Sequence, residues 1–144
     1  MKPLVVITGA SSGIGAAAAR TFSAAGHPLL LVSRRLDPME ALSLPNTLAK
    51  SVDVIDVSGF AAAVAEAEAL YGAVDLLINN AGYMNLEHSA SQSPDEWRKQ
   101  FEVNCIGLLN CTSVIFPGLI KRKTGTIINI GSTAGRNIYD NHTA

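Results

Sequence analysis

Apolar residues occur in five short, nearly continuous runs, separated by longer segments that have helical spacing. Such continuous runs are typical of strands buried on both faces, as in a parallel sheet. The predicted strands are Leu4–Thr8, Leu29–Ser33, Ala49–Asp53, Val74–Asn79 and Thr126–Ile130. The predicted helices are Ile14–Ala25, Gly59–Tyr71 and roughly Pro94–Lys121. Strands that alternate with helices indicate an α/β fold with a doubly wound sheet.

Residues at the predicted helix ends support these boundaries. Gly26 and Gly72 each follow a helical segment, where glycine commonly ends a helix. Ser93 precedes Pro94, and Glu96 follows three residues after the serine. This spacing predicts a capping box at the start of the long third helix.

Composition limits the class of protein. The 144 residues are 48% hydrophobic and 16% charged, which suits one globular domain spanning 1–144 with a real core. The apolar surplus serves either a buried sheet or a partner surface. The net charge of −1 predicts binding to neither nucleic acid nor an anionic membrane. No apolar run appears long enough for a signal segment or a membrane span. Cys105 and Cys111 indicate neither a disulfide frame nor a metal site, so we expect a reducing cytoplasm.

A glycine-rich loop follows the first predicted strand and opens the first predicted helix. Glycines at this point let the backbone approach a pyrophosphate closely, and the helix N-terminus offers free N–H groups. Two serine hydroxyls add donors. The spacing Gly-x-x-x-Gly-x-Gly differs from the Gly-x-Gly-x-x-Gly and Walker patterns, and a ligand-free turn is the plainer alternative. We predict a phosphate-binding loop formed by Gly9, Ser11, Ser12, Gly13, Ile14 and Gly15.

Two arginines follow the second predicted strand. An NAD-binding domain normally has Asp or Glu here, to hold the ribose 2′-hydroxyl. This strand instead ends Ser33-Arg34-Arg35, and guanidinium groups suit a 2′-phosphate. The alternative is a solvated charge cluster that begins a helix. We expect NADP(H) in preference to NAD(H), with Arg34 favoured over Arg35 because it comes first after the strand.

Taken together, these motifs closely resemble those of the short-chain dehydrogenase/reductases. The resemblance covers the whole chain and rests on five motifs in the family's order. They are Thr8-Gly9-Ala-Ser-Ser-Gly13-Ile-Gly15, Asp53-Val54, Asn79-Asn80-Ala81-Gly82, Phe101-Glu-Val-Asn104 and Ile-Asn-Ile-Gly-Ser132. The family implies a Rossmann-type sheet with strand order 3-2-1-4-5 and helices on both faces.

The resemblance also implies roles for particular residues. Ser132 matches the catalytic serine, and Asn104 matches the asparagine that holds a water in the proton relay. Asp53 and Val54 would contact the adenine end, and Asn80, Ala81 and Gly82 would line the cofactor. The implied activity is NADP(H)-dependent hydride transfer with a small carbonyl or alcohol substrate, and no metal is implied.

One family motif, Tyr-x-x-x-Lys, is not found. The family's tyrosine follows its serine by about thirteen residues, which is one position beyond Ala144. Tyr139 comes only seven residues after Ser132, so we expect it to be a loop residue, as are Asp140 and His142. We therefore expect the chain to be the N-terminal part of a longer reductase, without the catalytic Tyr and Lys or the substrate loop.

Two other readings stay open. The chain could be a truncated remnant that binds NADP(H) without catalysis, or a redox sensor that signals through a partner. The presence of both Asn104 and Ser132 argues against a pure binder. By the same resemblance we expect a homodimer or homotetramer, with the helix around Asn104–Lys121 as an interface.

Overall fold

The computed structural model, which describes residues 2–88, 90–137 and 139, contains a five-stranded parallel sheet. Its strand order is β3-β2-β1-β4-β5, so the predicted Rossmann-type topology is confirmed. The strands are β1 Leu4–Thr8, β2 Leu29–Ser33, β3 Thr47–Ser51, β4 Val74–Asn79 and β5 Thr126–Asn129.

Helices cover both faces of this sheet, as expected. They are α1 Gly13–Ala24, α2 Asp37–Glu40, α3 Val57–Tyr71, α4 Pro94–Phe101 and α5 Leu108–Arg122. Alternate residues of β1 point to opposite layers, because successive side chains of a strand do so. Leu4 and Val6 pack in one core with α3 and α5. Val5 and Ile7 pack in a second core, which includes residues of α1 and α2.

The third strand is shifted from its predicted position. It spans Thr47–Ser51, not Ala49–Asp53, because Thr47 pairs with Leu29 and Ser51 with Ser33, the last residue of β2. Beyond this pairing, the described residues add one backbone bond, from the Val52 N–H to the Ser33 carbonyl (3.0 Å), and one side-chain bond, from the Ser51 hydroxyl to the Arg34 carbonyl (3.0 Å). Asp53 therefore lies in a loop beyond the sheet edge. β5 is likewise one residue shorter than predicted and ends at Asn129.

The structure confirms the predicted helix ends at Gly26 and Gly72 and one half of the predicted capping box at Ser93. Gly26 (φ 83°) and Gly72 (φ 86°) have the positive φ expected after a helix. The Ser93 hydroxyl accepts a bond from the Glu96 N–H (3.3 Å), which is one half of the capping box. The other half does not form, because the Glu96 carboxylate instead accepts a bond from the Tyr83 phenol (2.8 Å).

The long third helix is continuous but not uniform. Residues Glu102–Gly107 form a π-helical segment between α4 and α5. The 29-residue stretch Pro94–Arg122 is long and apolar enough, by length and composition alone, to cross a membrane. The prediction that no segment reaches such a length is therefore wrong, since polar residues interrupt the apolar run without ending the helix. One side of α5 packs against the sheet through Cys111, Ile115 and Leu119, so the helix is a layer of the domain.

Candidate functional site

A cleft of about 620 Å³ lies at the carboxyl ends of the central strands. The chain runs outward from β1 to β3 and then returns to the other side of β1 with β4. Such a reversal leaves a crevice at the ends of the strands, where open α/β sheets bind ligands. The cleft is lined by Gly9, Ser11, Ser12, Ser33, Arg34, Arg35, Val52, Asp53, Val54, Asn80, Ala81, Gly82 and Val103.

The glycine loop is pressed against the loop that follows β4. Gly9 has φ 65°, and a Cβ there would lie 2.7 Å from the Ala81 Cα. A Cβ on Gly15 would lie 2.4 Å from the Gly9 carbonyl oxygen and 2.6 Å from the Asn80 Nδ2. All three distances are shorter than real Cβ contacts, so only glycine at positions 9 and 15 allows this approach. Gly15 thus allows α1 to pack closely against Gly9 and Asn80. Like Gly13 and Ile14, it does not line the cleft.

Hydrogen bonds pin the two loops together. The Asn80 side-chain amide donates to the carbonyls of Thr8 (3.0 Å) and Gly9 (3.2 Å). The Thr8 hydroxyl oxygen accepts bonds from the backbone N–H groups of Asn80 and Ala81, both at 3.0 Å. Thr8 is buried and was not among the predicted site residues. The sequence does contain a sign of this role, because a buried hydroxyl at the end of an otherwise apolar strand needs a polar partner.

The start of α1 is suited to an anion. Ser12 is the N-cap residue, but its side chain makes no capping bond. The first turn, Gly13-Ile14-Gly15, carries no charge, and Gly13 has φ 53°. The N–H groups of the first turn and the positive end of the helix dipole therefore lie next to Ser12 of the cleft lining, and no side-chain anion of the first turn satisfies them.

A guanidinium and three hydroxyls form a cluster beside this helix end. The Arg35 Nη2 donates to the Ser11 Oγ (3.1 Å) and lies 3.4 Å from the Ser12 Oγ. The Ser33 hydroxyl donates to the Ser11 Oγ (3.0 Å). Arg34 also lines the cleft, but it is Arg35 that contacts the serines. The preference for Arg34 over Arg35 stays a prediction.

Another part of the cleft lining is more apolar. It contains Asp53 and Val54, whose contact with the adenine end stays a prediction, together with Val52 and Val103, which were not among the predicted site residues. Val52 belongs to the loop created by the shifted end of β3. Val103 comes from the π-helical segment, about fifty residues further along the chain, so only the fold brings it here.

The two candidate catalytic residues lie outside the cleft lining. Asn104, in the π-helical segment, clamps the residue after Gly82: its Nδ2 donates to the Tyr83 carbonyl (2.8 Å) and its Oδ1 accepts from the Tyr83 N–H (2.7 Å). Ser132 follows β5 and is exposed. Its Oγ accepts a bond from the Ala134 N–H (3.1 Å), which caps a short 3₁₀ turn, Thr133–Gly135. Their catalytic roles stay predictions.

The tail also contains Tyr139, Asp140 and His142, which were predicted to be loop residues. The Tyr139 phenol donates to the Thr133 hydroxyl (3.1 Å), while Asp140 and His142 lie outside the described residues.

Both cysteines are free thiols, and Cys105 is exposed. Burial in the core raises the pKa of the Cys111 thiol to about 12, so it stays protonated at neutral pH.

The sheet and its cleft define a dinucleotide-binding type of α/β domain. The family model described as short chain dehydrogenase matches residues 3–144, and the chain belongs to that family. It is 40% identical to a sulfoacetaldehyde reductase of Chromohalobacter salexigens, covering 94% of this chain and 56% of the relative. It is 35% identical to an NADP-dependent 3-hydroxy acid dehydrogenase of Salmonella typhi, covering 92% and 55%.

Among solved structures, the closed form of a serine dehydrogenase complexed with NADP⁺ is similar to this chain. The TM-score is 0.89 at 32% identity, over 96% of this chain and 57% of the other. The chain thus spans about half the length of the curated relatives that it matches.

Proposed function

We propose that this chain is the NADP(H)-binding part of an oxidoreductase that transfers a hydride between the nicotinamide and a small carbonyl or alcohol substrate. The observation that carries the proposal is the cleft itself. Its floor is the close contact between the Gly9 loop and Asn80-Ala81-Gly82, and its rim carries the guanidinium and hydroxyl cluster. The named activities of the two relatives described above are of the same chemical class.

The choice of NADP(H) over NAD(H) rests on charge at the end of β2. A 2′-phosphate is a dianion, and Arg34 and Arg35 both line the cleft where β2 ends. No carboxylate stands at Ser33-Arg34-Arg35 to bind a free 2′-hydroxyl. The relative from Salmonella typhi is named as NADP-dependent, and the serine dehydrogenase structure contains NADP⁺.

The residues fit such a cofactor from end to end. Ser11, Ser12 and the N-terminus of α1 would hold the phosphates. Asp53 and Val54 would hold the adenine, and Ala81 and Gly82, with small side chains, would leave room for the nicotinamide. When bound, the cofactor supplies or accepts the hydride. We infer that Ser132 hydrogen-bonds the substrate oxygen and that Asn104 orders a water for proton transfer.

The alternative function is binding without catalysis, as a remnant or a redox sensor. A catalyst of this type needs a proton donor near the substrate oxygen, and the sequence contains no Tyr-x-x-x-Lys. An intact mass of the natural protein above that of these 144 residues, together with NADPH oxidation on a panel of aldehydes and ketones, would support the enzyme. A matching mass without oxidation would support the binder.

We also propose a homodimer or homotetramer in the cytoplasm. The outward side of Pro94–Arg122 exposes large apolar residues at helical spacing, namely Phe101 (65%), Leu109 (57%), Phe116 (48%) and Ile120 (58%). Exposed apolar patches of this kind commonly mark interfaces. The free thiol of exposed Cys105 suits a reducing compartment.

The cofactor proposal is tested by titrating NADPH and NADH into the wild-type protein and into Arg34→Ala and Arg35→Ala variants. We expect wild type to bind NADPH more tightly than NADH. Loss of either guanidinium should weaken NADPH binding by about tenfold or more, because charge-assisted hydrogen bonds contribute about 1.5–3 kcal/mol. NADH binding should change little.

The matched control for these variants is Arg98→Ala. Arg98 is an exposed arginine that pairs with Asp95 on α4 and does not line the cleft. It should leave both affinities unchanged. Equal or tighter binding of NADH by wild type would contradict the assignment of the arginines to a 2′-phosphate.

A further inference from the structure

The loop that forms the adenine side of the cleft is held by a helix residue outside the cleft. This loop follows β3 and includes Asp53 and Val54 of the lining. The side-chain amide of Asn110, on α5, donates to the Val54 carbonyl (3.2 Å) and approaches the Ile55 carbonyl (3.4 Å). Asn110 itself does not line the cleft.

A second contact lies three residues earlier, at the last residue of the π-helical segment that precedes α5. Gly107 is buried, and a Cβ placed on it would meet the Val54 Cγ2 at 2.4 Å and its Cβ at 3.1 Å. The helix backbone therefore touches the Val54 side chain directly. Asn110 holds the backbone of the same residue, so Val54 is fixed at both its side chain and its carbonyl.

Bonds within the loop do not explain its position. The Asp53 carboxylate accepts from the Ile55 N–H (3.2 Å), and the Asp53 carbonyl accepts from the Asp56 N–H (2.9 Å). These bonds fix the shape of the turn, but they join residues that move together. A bond to α5 is different in kind, because α5 packs in the core against the sheet. It fixes the loop relative to the rest of the cleft.

We propose that Asn110 is a positioning residue for the adenine end of the cofactor. It acts through the Val54 and Ile55 carbonyls, with Gly107 providing the close approach. The inference rests on the proposed NADP(H) function and adds a residue that no family motif quoted above contains. It predicts that changes at Asn110 affect one half of the dinucleotide and not the other.

The test uses the full chain with two variants and three ligands. Asn110→Ala removes the amide, and Asn110→Asp keeps the shape but replaces the donor with an acceptor facing two carbonyls. The ligands are NADPH, adenosine 2′,5′-bisphosphate as the adenine half, and reduced nicotinamide mononucleotide as the other half. Ser113→Ala is the control, since the Ser113 hydroxyl donates only to the Asn110 carbonyl within the same helix (2.7 Å).

For Asn110→Ala we expect the dissociation constants of NADPH and of the adenine half to rise about fivefold, the effect of losing one neutral hydrogen bond, and for Asn110→Asp we expect a larger rise because its carboxylate repels the two carbonyls. That of the nicotinamide half should stay unchanged, as should all three in Ser113→Ala. Hydrogen exchange of residues 52–56 in the ligand-free protein should become faster in both variants, which provides a readout that needs no ligand.

Two results would overturn the inference alone: unchanged affinity for the adenine half, or equal losses for both halves, which would indicate general loosening. If the Ala variant does not fold, the isosteric Asp variant decides the outcome by the same criteria. A wild-type protein that binds none of the three ligands would overturn the proposed function and this inference with it. A wild type that binds all three while the variants behave like wild type would overturn only the inference.

Discussion

The centre of the sheet, at β1, and its edge, at β5, differ in how firmly they are held. All five residues of β1 are buried, and the loops above it are joined by the bonds between Asn80 and Thr8. At the edge, β5 is mostly exposed; Ile128 in the strand and Ile130 just after it are 39% and 40% exposed. Ser132, just beyond it, makes its only described side-chain bond to Ala134, two residues away.

This difference separates the two tasks of the proposed enzyme. Cofactor binding depends on close approach of backbones, and that approach is enforced by buried strands and by glycines that no other residue can replace. Positioning of a substrate oxygen depends on Ser132, which is supported only locally. We therefore expect small changes in the loops above β1 to affect stability and NADPH binding strongly, and small changes at the β5 edge to affect them weakly.

The largest expected difference is between two glycine-to-alanine variants, one in the glycine loop and one just after β5. In Gly15→Ala, the new methyl would overlap the Gly9 carbonyl and the Asn80 amide. Overpacking of this kind costs about 2 kcal/mol of unfolding free energy even after the gain in helix propensity, and it should weaken NADPH binding more than about tenfold. Urea denaturation and NADPH titration measure both quantities.

Gly131→Ala is the matched change at the β5 end. No described atom lies within 4 Å of a Cβ at Gly131, so both quantities should stay at wild-type values. Equal losses of stability and NADPH affinity in the two variants would show that the glycine loop is no more tightly packed than the region after β5.

An intermediate effect is expected from the two cysteines of the long helix Pro94–Arg122. Cys111 lies on its buried side and Cys105 on its exposed side. Exposed Cys105 should react quickly with a thiol reagent at pH 8, whereas buried Cys111 should react only after unfolding. Because the pKa of Cys111 is raised from 9.0 to about 12, the folded state keeps its proton after the unfolded chain has lost it. Its contribution to stability is complete below pH 9 and is lost as pH rises toward 12, by at most about 1.4 kcal/mol per pH unit.

The control for that pH dependence is Cys111→Ala, compared with Cys105→Ala. Replacement of Cys111 should remove its part of the stability loss between pH 9 and 12, and replacement of Cys105 should not. Native-state labelling of both thiols at equal rates would show that Cys111 is not buried in solution.

The smallest effect on stability and on NADPH binding is expected from Ser132→Ala. The variant loses one exposed cap of a 3₁₀ turn, so the unfolding free energy should change by less than about 1 kcal/mol. NADPH affinity should not change, because Ser132 does not line the cleft. Turnover of a carbonyl substrate, in contrast, should fall strongly if Ser132 is catalytic. A large loss of NADPH affinity would place the serine in the cofactor site instead.

The fold could be predicted from sequence because its signals are local. Continuous apolar runs identified all five strands, and Gly26 and Gly72 marked two helix ends correctly. The errors arose where a boundary depends on a partner. β3 ends where β2 stops offering a partner, and the capping box at Ser93 lost half its bonds because the Tyr83 phenol competes for Glu96.

Neighbouring residues in the chain are enough to predict the order of the elements, the glycine loop and the two arginines, because each is a local feature. Which of these residues meet depends on tertiary packing. It placed Val103 in the wall of the cleft, joined the Asn104 amide to Tyr83, and brought Asn110 to the loop at Val54. The physical reason is that contacts across some twenty to seventy residues depend on how helices pack on the sheet, and no local pattern of polar and apolar residues records that packing.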